Sequence, residues 1–160
     1  SHWTPWGALA AYNQMAAALG EPQWAWAESE LNWAEMRTDD GDLPRMAGMP
    51  PAVETLRYHH RTSLPSGAVR RELEGYGGPM LAFVVERQTP GPTGLIIGDS
   101  YTADFFPSLI AERVSRLTWI HMDVCGFDWR VVEDQAPDYV LLLPAERNAI
   151  CEGRRPAGFD

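Results

Sequence analysis

The sequence contains no lysine. All thirteen of its basic residues are arginine, set against 22 Asp and Glu for a formal net charge of −9. No basic stripe interleaved with aromatics is present, so nucleic-acid binding is not expected. The negative balance also repels anionic membrane surfaces and polyanionic substrates unless arginines cluster locally. Cysteine is scarce. The two cysteines, Cys125 and Cys151, lie in no C-x-x-C pair and in no His/Cys spacing suited to a metal, and neither metal nor cofactor is expected. Counting leaves two states open for them, free thiols in a reducing compartment or one disulfide in an oxidising one. No apolar run reaches the roughly eighteen residues of a transmembrane helix, and no signal peptide is visible. Internal repeats, low-complexity segments and linkers are also lacking.

What remains is a chain of 160 residues, 45% hydrophobic, which suits one domain over 1–160 with its own core. Seven tryptophans is a heavy load for that length. Such residues line sugar-binding grooves, but packing is the more economical reading. The chain opens Ser-His-Trp without a methionine, as a processed or excised product does.

Thr4 is a suitable N-cap, and Pro5 falls at the first helical position, where a missing N–H costs nothing. Leu9, Tyr12, Ala16 and Leu19 recur at helical spacing and Gly20 supplies a left-handed cap, so a helix is predicted over 5–19. Residues 23–37 read as a second helix, because Trp26, Glu30, Trp33 and Arg37 share one face. Residues 38–51 read as loop with a short helical turn, and 51–78 as strands or irregular structure. From Pro79 the pattern changes. "MLAFVVER" reads as a strand and "QTPGPT" as a turn. Three strands follow, "GLIIG", "LTWIHM" and "DYVLLLPAE". Between them lie an amphipathic helix, "ADFFPSLIAERVSR", in spite of Pro107, and a short helix, "DWRVVEDQA". Short apolar strands alternating with helices predict an α/β fold, a three-layer sandwich around a parallel sheet with N-terminal helical segments.

In open parallel sheets, ligands bind outside the carboxyl ends of the strands. Ser100 lies past the first of these strands, Asp123 and Cys125 past the second, Glu146 and Arg147 past the third. Ser100, Asp123 and Arg147 therefore share one edge. By position alone Ser100 is the N-cap of a helix beginning near Tyr101 or Thr102. A serine at a helix N-terminus can also draw on backbone N–H groups to stabilise an oxyanion. A serine nucleophile needs a base, normally a histidine held by a carboxylate. Of the four histidines, His121 falls inside a strand, and His59 and His60 read as surface residues. His2 stands at the entrance to a well-capped helix, beside Trp3; taken alone, it is a chain end.

Four ordered segments carry a resemblance. They are "HWTPWGALAAYNQMAAAL" (2–19), "GDLPRMAGMP" (41–50), "GLIIGDSYTADFFPSLI" (94–110) and "PDYVLLLPAERNAI" (137–150). In this order they resemble the SGNH-hydrolase-like domains of the alginate and exopolysaccharide O-acetyltransferase family. The pattern is D-x-H-W, a helix, G-D-L, G-D-S with a following aromatic, and a late P-D-x-V with E-R. The histidine precedes the serine block here, whereas ordinary SGNH esterases carry Asp-x-x-His after it.

The resemblance implies a flavodoxin-like SGNH fold, Ser100 as nucleophile and His2 as base. Asp99, Ser100 and Tyr101 would form the oxyanion turn, with Asp99 bracing it. Trp3, Asp123 and Arg147 are the candidates for holding substrate, Arg147 through the family's E-R. The motif's Asp would stand just before Ser1, so the resemblance implies a domain cut inside its own motif at the N-terminus. The implied reaction is acetyl transfer to a polysaccharide or oligosaccharide. Its acetyl donor would be supplied by a membrane O-acyltransferase outside the cytoplasm, and that location favours a Cys125–Cys151 disulfide. The alternatives are a carbohydrate acetylesterase, or a catalytically impaired carbohydrate-binding or scaffold domain.

Overall fold

The structure, a computed structural model, describes residues 5–31, 33–38, 48, 54–59, 64–76, 82–103, 105–122 and 126–145, with side chains omitted at 5, 34–38 and 54–59. The chain forms two compact units, Ser1–Ser63 and Leu64–Asp160.

The first unit opens with α1 (Pro5–Ala18). Ala8, Leu9, Tyr12 and Ala16 form its buried stripe. Gly20, at φ 77°, ends it in a Schellman motif. Its N–H reaches Ala17 O at 3.1 Å and the Glu21 N–H reaches Ala16 O at 3.0 Å. The helix packs on β2 (Glu54–His59), which pairs antiparallel with β1 (Trp33–Thr38), Trp33 opposite His59. The helix predicted over 23–37 does not form. Two 3-10 turns, Pro22–Trp24 and Glu28–Glu30, lead into β1 instead. The physical reason is Asn13. Its side-chain amide takes both backbone groups of Trp26, accepting the N–H and donating to the carbonyl, each at 2.9 Å. Neither group is then left for a helical ladder, and Ala25 and Ala27 on either side are extended (ψ 149° and 147°).

The second unit is built on five strands: β3 (Val69–Leu73), β4 (Ala82–Glu86), β5 (Thr93–Gly98), β6 (Arg116–His121) and β7 (Tyr139–Leu143). Their order is β3-β4-β6-β5-β7. β5 runs parallel to both β6 and β7, as the alternation of strands and helices predicts. β4 differs: it runs antiparallel to β6 and to β3. The short link from Glu86 to Thr93 reverses the chain, and a parallel crossover needs about a dozen residues. β4, β5 and β6 are buried almost throughout, which requires cover on both faces.

Helices provide that cover. Val131 of α4 (Arg130–Gln135) joins Leu95, Ile97, Ile120 and Met122 in one cluster. On the opposite face Trp119 meets α2 (Ser100–Ala103), and α3 (Phe106–Ile110) packs on β6. The result is a three-layer α/β sandwich with a mixed sheet. In place of the single helix predicted over 103–116, the described residues hold the last residue of α2 at Ala103 and the five-residue α3. Pro107 cannot sit in a helix interior, because it lacks an N–H and its ring crowds the preceding turn. It falls in the first turn of α3, where neither matters. All five α3 residues are buried, so α3 is a core helix and not an amphipathic one. Trp24, Trp26 and Trp119 are buried as well, as the packing reading of the tryptophans expects.

Candidate active site

β5, β6 and β7 end level: Gly98 lies opposite His121 on one side and Leu143 on the other. Asp99 and Ser100 follow at this carboxyl edge. Asp99 is 1% exposed, and each of its carboxylate oxygens holds a backbone N–H. Oδ1 accepts from Tyr101 at 2.9 Å and Oδ2 from Ala145 at 2.7 Å. The first bond is an Asx turn that caps α2 from the position before it. The second ties the turn to the chain leaving β7. The capping contact that position alone assigns to Ser100 therefore belongs to Asp99, and Ser100, half-buried, is the first residue of α2.

Further bonds fix the turn. The Asp99 carbonyl accepts from the N–H and the hydroxyl of Thr102, both at 3.0 Å. The Gly98 carbonyl accepts from Met122 N–H at 2.6 Å. A Cβ on Gly98 would lie 2.1 Å from Thr102 Oγ1, so only glycine admits α2 this close to the strand. Thr102 Oγ1 in turn accepts from Trp119 Nε1 at 3.1 Å. Sequence reasoning had Gly98 as part of the Gly-Asp-Ser motif but missed Thr102 and Trp119. The available signal was a threonine three residues after an aspartate, a spacing suited to backbone capture. The partner Trp119 carries no local signal.

Of the residues singled out from sequence, the structure brings Asp99, Ser100 and Tyr101 together in this one turn. His2, Trp3, Asp123, Cys125, Glu146, Arg147 and Cys151 lie outside the described residues. His121 ends β6, half-buried, with its ring edge-on to Trp119 at 6.0 Å. Among the described residues, no group of three or more His, Cys, Asp or Glu is placed to hold a metal ion. No helix among them is long and apolar enough to cross a membrane.

The fold has solved counterparts. A DHHW family protein from Eubacterium siraeum matches with a TM-score of 0.64 at 16% identity, over 89% of this chain and 56% of its own. PatB1 of Bacillus cereus matches with a TM-score of 0.60 at 13% identity, over 92% of this chain and 61% of its own. PatB1 with a sulfonyl adduct gives 0.61 at 14% identity, over 92% and 59%. The chain thus spans 56–61% of the length of these structures. At such identities the likeness is one of fold. No curated protein matches the chain. A family model described as "SGNH hydrolase-like domain, acetyltransferase AlgX" matches residues 1–115, a stretch that includes the Gly98–Ser100 turn. The chain belongs to this family of SGNH hydrolase-like acetyltransferase domains.

Proposed function

We propose that residues 1–160 act as one SGNH-like catalytic domain, an O-acetyltransferase that modifies an exported or cell-surface polysaccharide through a serine acyl-enzyme. The observation that carries this reading is Ser100 itself. It is half-buried at the carboxyl edge of three parallel strands, first in a helix whose cap is supplied by its neighbour, in a chain of an acetyltransferase family. A serine so placed presents its Oγ where ligands meet such sheets.

In the proposed reaction, Ser100 Oγ attacks the acetyl carbonyl of a donor while its proton passes to His2, the base assigned by the family motif. The oxyanion is met by the Ser100 N–H; the Tyr101 and Thr102 N–H groups are already committed to Asp99. The donor's leaving group departs with the proton from His2. A sugar hydroxyl then attacks the acetyl-serine and gives its proton to His2. Collapse returns that proton to Ser100 and leaves the acetyl group on the sugar. Trp3, Asp123 and Arg147 are proposed to hold the acceptor, and the reaction to run outside the cytoplasm. With water as acceptor the same chemistry is that of an acetylesterase.

The test is turnover of a chromogenic acetyl ester with and without an oligosaccharide, read by product release and by the mass of the sugar. The expected result is acetylated sugar from the wild type and none from Ser100→Ala. Free acetate with no acetylated sugar would replace the transferase by an esterase, and full activity in Ser100→Ala would remove Ser100 from the mechanism. A sulfonyl fluoride gives a second readout, since sulfonyl electrophiles are taken by activated hydroxyls and PatB1 accepts a sulfonyl adduct. The reagent is expected to add its mass to the wild type and not to Ser100→Ala.

A further inference from the structure

We infer that Thr102, backed by Trp119, is a positioning residue that aims the oxyanion donor of the proposed serine chemistry. This rests on the reading of Ser100 as the nucleophile. The inference begins with the direction of the hydrogen bonds. An indole N–H only donates, so Thr102 Oγ1 accepts from Trp119 Nε1 at 3.1 Å. The hydroxyl has a single proton, which is thereby left for the Asp99 carbonyl oxygen at 3.0 Å. That carbonyl and the Ser100 N–H belong to one planar peptide and point in opposite directions across it. Clamping the carbonyl toward the buried Thr102 therefore aims the Ser100 N–H the opposite way, away from Thr102.

The clamp cannot drift. Thr102 is 1% exposed, and its hydroxyl occupies the space that Gly98 leaves by having no Cβ. Trp119 is fully buried and stacked on Phe83 at 5.3 Å and 12°, with the Arg70 guanidinium 3.7 Å from the Phe83 ring centre. The indole N–H thus has one direction. A hydroxyl at position 102 is needed for a geometric reason as well as for packing. Without it the Asp99 carbonyl loses one of the two Thr102 donors that hold it, and the Asp99–Ser100 peptide is aimed less firmly. Displacement of a catalytic donor by a fraction of an ångström is costly to rate, because electrostatic stabilisation depends on alignment in the transition state.

The test compares Ser100→Ala, Thr102→Val, Thr102→Ser and Trp119→Phe in the full chain. It measures kcat and KM on the acetyl ester, the rate of sulfonylation, and the thermal midpoint. Thr102→Val is expected to lower kcat about 10- to 100-fold with KM within about twofold, a loss carried by transition-state alignment. Thr102→Ser, which restores the hydroxyl, is expected to recover most of it. Trp119→Phe keeps an aromatic ring beside Phe83 but removes the N–H together with part of the buried indole, so a smaller fall in kcat is expected beside a lower thermal midpoint. A packing role alone would lower the thermal midpoint of Thr102→Val while leaving kcat and sulfonylation of the folded protein at the wild-type level; that result overturns the inference. Should Thr102→Val fail to fold, a wild-type kcat in Trp119→Phe overturns it equally. Wild-type turnover in Ser100→Ala removes the nucleophile reading and this inference with it. Loss in Ser100→Ala beside normal turnover in Thr102→Val removes this inference alone.

Discussion

Gly98 shows how one missing side chain organises a candidate active site. The turn after β5 has to bring α2 against the strand end so that Thr102 can reach back to Asp99. Any Cβ at 98 meets Thr102 Oγ1 at 2.1 Å and Leu143 O at 3.3 Å, and the latter is backbone of a neighbouring strand that cannot yield easily. Gly98→Ala is therefore expected to force α2 outward and to destabilise the chain by about 1–3 kcal/mol, the usual cost of overpacking. Urea denaturation measures the loss. Turnover is expected to fall with it, because the displaced helix carries Ser100. An alanine variant of wild-type stability would show that the turn relaxes without strain.

Asp138 does at the opposite end of the strands what Asp99 does at the carboxyl edge. Its carboxylate accepts from the Thr93 N–H at 2.7 Å and from the Thr93 hydroxyl at 3.0 Å, and its own N–H reaches the Thr93 carbonyl at 3.0 Å. The start of β7 is thereby fastened to the start of β5, and the register that levels Gly98 with Leu143 follows from there. The Thr93 N–H, and after it the Thr93 hydroxyl, hold the Asp138 carboxyl below its ordinary value. The native pKa is thus lower than the unfolded one, and the unfolded chain binds more protons on acidification. The stabilisation is complete above the unfolded value of about 3.9 and is lost as pH falls through the native value. Asp138→Asn removes this linkage. The wild type is expected to lose more stability than the variant between about pH 5 and about pH 3, compared by urea midpoints at both. Equal losses would show that Asp138 contributes nothing that titrates.

The charge of the whole molecule bears on the acceptor. With 22 acidic residues against 13 basic, the chain repels polyanions at long range, and salt screens that repulsion over about 10 Å at 0.1 M. Transfer to a neutral oligosaccharide is expected to change little with ionic strength, whereas transfer to a polyuronate is expected to rise with added salt. Steady-state kcat/KM over a salt series separates the two. A polyuronate rate that falls with salt would reveal a local arginine cluster that outweighs the net charge.

The local parts of this protein were legible in its sequence, and the non-local ones were not. The helix over α1, with Pro5 at its start and Gly20 at its end, depends on residues within a turn of one another, and the structure has it to within a residue. The apolar strands β5, β6 and β7 depend on composition and punctuation alone, and they too are where the sequence puts them. The Gly-Asp-Ser turn was visible as a corner because its residue types allow little else. The strand in place of a second helix was decided by Asn13, thirteen residues before the Trp26 it captures. The antiparallel partner of β4 is β6, which lies beyond β5, α2 and α3 in the chain. At the candidate site, the sequence nominated Ser100. Only the folded chain assigned the cap to Asp99, filled the gap beside Gly98 with Thr102, and set Trp119 behind it from another strand. Local preference is written into neighbouring residues, whereas which distant groups satisfy a buried carbonyl or carboxylate is settled only when the sheet brings them together.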